Sequence, residues 1–72
     1  MANILVEDAR MQAQLALSES PVFALREVQV EQAGDALHLT GKVSCFYHKQ
    51  LAQEAIRAIH PLIPLVNAID VD

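Results

Sequence analysis

Leu5, Ala9, Ala13, Ala16 and Leu17 recur at spacings of four, four, three and one, with Met11 and Leu15 in an adjoining row. That period predicts an amphipathic helix over roughly residues 4–17. Asn3 is its candidate N-cap, Glu7 and Asp8 complement the positive end of the helix dipole, and the run SESP through Pro21 supplies the stop. After a short connector containing Val22 and Phe23, the pattern changes to a period of two. Val28 and Val30 share one face while Glu27, Gln29 and Glu31 take the other, which predicts a strand over about 26–32. Ala33, Gly34 and Asp35 form a turn, because Gly34 tolerates positive φ and Asp35 can bond back to the local backbone. A second strand follows over about 36–43, with Leu37, Leu39 and Val43 facing one way and His38, Thr40 and Lys42 the other. Gly41 falls in the inward register, where a missing side chain predicts a bulge or the close approach of a helix backbone.

Ser44 then stands where an N-cap is wanted, ahead of a second helix over about 45–60. Leu51, Ala52, Ala55, Ile56 and Ile59 recur at three and four and predict one buried stripe, with Glu54 and Arg57 on the solvated side. Pro61 disfavours helical geometry in His60, so the helix ends there, and PLIP forms a stiff connector. The closing run over about 65–71 alternates Leu65, Ile69 and Val71 against Val66, Ala68 and Asp70. Asn67 shares the inward register, which predicts that it lies at a margin or satisfies backbone groups near a helix end. The order αββαβ predicts one α+β domain over residues 1–72, with two helices packed on one face of a single-layer, three-stranded mixed sheet.

With 72 residues the core must be compact, and a deep substrate cavity is not expected. A chain 53% apolar and only 19% charged predicts exposed apolar surface or a covering second copy, hence a homo-oligomer. Five Lys and Arg against nine Asp and Glu give a net charge of −4, which opposes a phosphate backbone. The order αββαβ also occurs in one arrangement of KH domains, but the two glycines, Gly34 and Gly41, cannot make the GxxG loop that clamps RNA there. Nucleic acid is therefore not an expected partner. Cys45 is the lone cysteine, which excludes an internal disulfide, a Cys/His zinc pattern and a CxxC redox pair. His38, His48 and His60 offer no i,i+4 metal spacing, and no cofactor is expected. No run approaches the about 18 apolar residues of a transmembrane segment, and the opening MANILVEDARMQAQLALSES lacks a basic n-region and a signal-length apolar stretch. The expectation from these is a cytoplasmic product.

The densest chemistry lies in SCFYHK, residues 44–49. Phe46 and Tyr47 can close the end of the core against the first helix, or else face outward and meet a second copy. Cys45 and His48, at i,i+3 beside a helix N-terminus, have the residue types of a nucleophile and its base, but no orienting third group or oxyanion element is evident. Catalysis is not expected, and Cys45 is read as a small, partly buried side chain. The outer sheet face, with Glu27, Gln29, Glu31, His38, Thr40, Lys42, Val66 and Ala68, mixes polar and aliphatic groups in the way a partner surface does.

Val28 and Val30, Gly34, the run Leu39-Thr40-Gly41-Lys42-Val43, Ala52 and Ala55, and the ending Val66-Asn67-Ala68-Ile69-Asp70-Val71 together resemble the BON family across essentially the whole chain. BON domains are small bacterial αββαβ domains found mostly in envelope, osmotic-stress and mechanosensitive-channel proteins. The resemblance implies a non-catalytic module that binds phospholipid or another envelope component, with Phe46, Tyr47, His48 and Lys49 at the start of the second helix as the contact. Aromatic rings suit the headgroup region and cations attract anionic lipid. A structural or docking role through Glu27, Gln29, His38, Thr40 and Lys42 on the sheet face is the alternative. The chain departs from the family in having HPLIPL where a Gly-Val pair is common, which stiffens the link from helix to strand, and in showing one copy where many members have two. The resemblance also implies a periplasmic or envelope-associated address, against the cytoplasmic one expected from the opening residues.

Overall fold

The computed structural model describes residues 6–72, with side chains from Asp8 onward; the expected N-cap Asn3 and the core position Leu5 lie outside them. Helix α1 spans Val6–Ser18 and buries Ala9, Ala13 and Leu17, one residue per turn on a single face. Two of the three are alanine, so the helix axis can approach the sheet closely. Met11 and Leu15 stay 57% exposed and form no part of the core.

The connector is a folded element. A 3₁₀ turn over Phe23–Glu27 is closed by Leu25 N–H to the Val22 carbonyl at 3.0 Å and Val28 N–H to the Leu25 carbonyl at 3.2 Å, and it drives Leu25 into the core. The first strand therefore starts later than the alternation suggests, β1 being Gln29–Ala33, and Glu27 belongs to the turn. β1 pairs antiparallel with β2 (Ala36–Thr40) through a two-residue turn in which Gly34 has φ 63°.

Beyond Thr40 the strand is interrupted at Gly41 and resumes as β3 (Lys42–Val43). The closing strand is interrupted at the same level, giving β4 (Leu65–Asn67) and β5 (Asp70–Val71). No residue is gained or lost across the break. Leu37 pairs with Leu65 and Leu39 with Asn67 on one side, Lys42 with Asp70 and Val43 with Val71 on the other, at one constant offset. The bonds Ala68 N–H to Leu39, Asp70 N–H to Gly41 and Asp72 N–H to Val43, at 2.9, 2.9 and 2.8 Å, carry the parallel pairing through. The architecture is a small α+β domain of two helices and a three-stranded mixed sheet in the order β1-β2-β4, extended by β3 and β5. Parallel neighbours cannot be joined by a hairpin, so helix α2 (Phe46–Ile59) makes the crossover.

Core positions follow the expected alternation in the sheet, with Val28, Val30, Leu37, Leu39, Val43 and Ile69 all buried. Leu51, Ala55 and Leu65 are half-buried against this core, and two expected core residues are exposed. Ile59 is 45% exposed and Val71 42%, because each stands at the end of its element, past the layer that covers it. His60 does more than end the helix. Only 7% exposed, its Nε2 meets Gln12 Oε1 at 2.7 Å and ties the end of α2 to α1.

Gln14 of α1 does a strand's work at the open edge of β1. Its Nε2 donates to the Val28 carbonyl at 3.0 Å, and its Oε1 accepts from Val30 N–H at 2.8 Å. These are two of the backbone groups an added strand would use, and a side-chain amide that occupies them blunts the edge. Gln14→Ala should cost about 1–2 kcal/mol and speed hydrogen exchange at the Val30 amide while leaving Leu37 protected. Unchanged exchange at Val30 would show that the bond does not guard the edge.

Candidate functional site

Val43 of β3 is buried, and only Ser44 and Cys45 separate it from α2. That short reversal fixes where the helix begins. Cys45, not Ser44, occupies the N-cap position, with φ −153° and ψ 157°, and makes no side-chain cap to the backbone. Ser44 is one residue too early to cap, its place being taken by the bend that leaves the strand. The Cys45 Sγ instead meets His48 Nδ1 at 3.4 Å, so the spacing of three does bring thiol and imidazole together.

Neither aromatic closes the core. Phe46 is 60% and Tyr47 66% exposed, while His48 and Lys49 are half-buried. Helical phase explains the inversion. The buried stripe contains Ala52 and Ile56, and carried back by three and four positions it reaches Lys49 and His48. Phe46 and Tyr47 lie on the other side of the first turn and face outward. The Tyr47 and His48 rings are 6.0 Å apart at 45°. The first turn is held from beneath by Asn67, whose Nδ2 donates to the Lys49 carbonyl at 2.9 Å and to Gln53 Oε1 at 3.1 Å. Asn67 thus serves backbone at a helix end, as its register implies.

The outer sheet face gathers four of its five expected residues. Gln29 stands opposite Thr40, His38 is beside Val66, and Lys42 is in register with Asp70. Gln29 and Lys42 are exposed, His38 and Thr40 half-buried, and Val66 is 44% exposed. Glu27 is not on this face, having been taken into the 3₁₀ turn.

That turn carries a feature that the apolar alternation does not reveal. Phe23 is 77% exposed, and the Arg26 guanidinium carbon lies 4.5 Å from its ring centroid. The proline at 21 and the i,i+3 spacing of aromatic and arginine were the available signals. Among the described residues no three His, Cys, Asp or Glu side chains gather into a metal-holding group, and no helix is long and apolar enough to cross a membrane. No family model matches the chain, and no curated protein does.

Proposed function

We propose that the chain is a non-catalytic, BON-like binding module that associates with anionic phospholipid, or another envelope component, through the start of α2. The observation that carries this reading is the outward exposure of Phe46 and Tyr47, at 60% and 66%, in the same helical turn as Lys49. Large rings left in water are disfavoured, whereas at a headgroup boundary their apolar bodies are buried and a neighbouring ammonium meets anionic lipid. Flotation with vesicles tests it. Binding should be stronger to anionic than to neutral lipid and weaker at physiological than at low salt. Replacing Tyr47 and Lys49 together by alanine should weaken it by roughly tenfold or more with the circular dichroism spectrum unchanged. Equal binding by the double variant would reject this surface.

A second reading is self-association or protein docking through the sheet. Val66 at 44% exposed supports it, as does the β4–β5 side of the sheet, which no further strand among the described residues covers. It requires a defined oligomer or complex in dilute solution, and a single monomeric mass across a wide concentration series would exclude the homo-oligomer.

A further inference from the structure

Gln14 belongs to α1 but bonds the backbone of β1 as a neighbouring strand would, its Nε2 donating to the Val28 carbonyl and its Oε1 accepting from Val30 N–H. The register shows what this contact excludes. Successive residues of a strand direct their polar groups to opposite sides, so Gln29, Glu31 and Ala33 bond to β2 while Val28, Val30 and Gln32 face the open edge. That edge consists of the Val28 carbonyl and the N–H and carbonyl groups of Val30 and Gln32. Val28 N–H is not part of it, being spent on the Leu25 carbonyl in the 3₁₀ turn.

Such an edge is complementary to itself. When two copies of β1 lie antiparallel about a twofold axis at Val30, each Val30 N–H meets the second copy's Val30 carbonyl, and each Gln32 N–H meets the second copy's Val28 carbonyl. On the outer face the exposed Glu31 then stands opposite the second copy's Gln29, which is uncharged. An axis at Glu31 would set two carboxylates directly opposite one another, which is disfavoured. An axis at Gln29 loses the Gln32 bonds, and one at Gln32 runs the pairing into the turn at Gly34, because β1 spans only Gln29–Ala33. Pairing about Val30 is therefore the favoured register, and every bond in it uses Val30 N–H or the Val28 carbonyl. Those are the groups that Gln14 holds. Met11, three residues before Gln14 on the same flank of α1, is 57% exposed, so pairing would also draw an apolar side chain out of water.

We propose that Gln14 is an autoinhibitory contact, which keeps the β1 edge from pairing with the β1 edge of a second copy, and that its release converts the domain into a twofold dimer with one sheet running through both copies. This edge lies across the sheet from β4, and the inference does not rest on the α2 surface.

The test is the mass of the whole chain in solution over a wide concentration series. Gln14→Ala should dimerise at concentrations roughly tenfold or more below any at which the parent does. Alanine is a strong helix former, so α1 is not weakened by it. Gln14→Met keeps an unbranched stem and satisfies neither backbone group, which repeats the test if alanine loosens the packing; thermal unfolding of each variant shows that it is folded. In the Gln14→Ala background, Gln29→Lys should tighten the dimer about tenfold, because the new cation meets Glu31 at two symmetric places, and Gln29→Glu should weaken it by about as much. A role for Gln14 in stability alone would not make association depend on the charge at position 29. Exchange at the Val30 amide, fast in dilute Gln14→Ala, should slow again as the dimer forms. A folded Gln14→Ala that stays monomeric overturns the inference, as does a dimer indifferent to the charge at position 29. A parent whose self-association already responds to Gln29→Glu would have an open edge and overturn the role of Gln14. Growth beyond the dimer would mean that the edge takes strands in any register and would overturn the twofold pairing.

Discussion

Replacing Gly41 by alanine is expected to destabilise the domain by about 2 kcal/mol and lower its melting temperature by about 8–16 °C. Gly41 has φ 134°, a conformation that L side chains rarely adopt, and its added Cβ would press on the Glu27 carbonyl oxygen at 3.4 Å and the Val28 Cα at 3.5 Å. The strain of a disallowed backbone, about 1–3 kcal/mol, outweighs the few tenths to 1 kcal/mol that a glycine replacement recovers from the unfolded chain. Both obstructing atoms are backbone, so neither can swing aside. Gly34 is the control. Its φ of 63° lies in the left-handed region open to asparagine, and nothing stands within 4 Å of the site of its Cβ. Gly34→Asn should therefore stay within about 1 kcal/mol of the parent, whereas Gly41→Asn should fare no better than Gly41→Ala. Thermal unfolding followed by circular dichroism decides the matter, and equal melting temperatures for the two asparagine variants would mean that Gly41 is not conformationally required.

Gly41 also marks where the sequence pattern stops being informative. Alternation placed it in the inward register and implied a bulge or the close approach of a helix backbone, and the constant register across Gly41 rules out the bulge. What approaches is the exit of the 3₁₀ turn, and that turn has no periodic signature. Five residues with one buried side chain, Leu25, cannot display a period of 3.6 or of 2. The long elements were legible because each buries several residues in phase: Ala9, Ala13 and Leu17 in α1, Leu37 and Leu39 in β2, Ala52 and Ile56 in α2. The breaks at Gly41 and at Ala68–Ile69 were not, since a constant register across them leaves the alternation of side chains undisturbed.

The candidate surface was legible by position but not by orientation. Ring size alone favours burial for Phe46 and Tyr47. The helical phase of Ala52 and Ile56 favours exposure, and phase prevails because rotating the turn to bury the rings would withdraw those residues from the core. Phe23 was hidden for a different reason, its exposure depending on Leu25 two residues later taking the inward place. The exposed aromatic rings thus belong to two short segments that flank the core, neither of which the apolar pattern describes.

Asn67 should prove the costliest polar residue to replace. Its side chain makes three hydrogen bonds, two from Nδ2 to the Lys49 carbonyl and Gln53 Oε1 and one accepted by Oδ1 from Ile69 N–H at 3.2 Å. It therefore joins the break between β4 and β5 to the turn of α2 that carries Lys49. Asn67→Ala removes all three and leaves Ile69 N–H, next to a side chain only 1% exposed, without its acceptor; about 2–3 kcal/mol and a fall in melting temperature of about 8–24 °C are expected. Asn67→Asp separates donation from acceptance. The carboxylate still accepts from Ile69 N–H but turns negative oxygen toward the Lys49 carbonyl, which cannot rotate away, whereas Gln53 can reverse its amide. Repulsion and partial burial favour the protonated form, so the introduced carboxyl should titrate higher in the folded chain than its unfolded value of about 3.9. The folded state then binds more protons than the unfolded state between those two values, and stability relative to the parent falls as pH rises through that window. The variant should approach the parent at low pH and be weakest at neutral pH. Urea unfolding at several pH values would show it, and a stability difference independent of pH would mean that Asn67 acts through its acceptor or its shape and not through its two donated bonds.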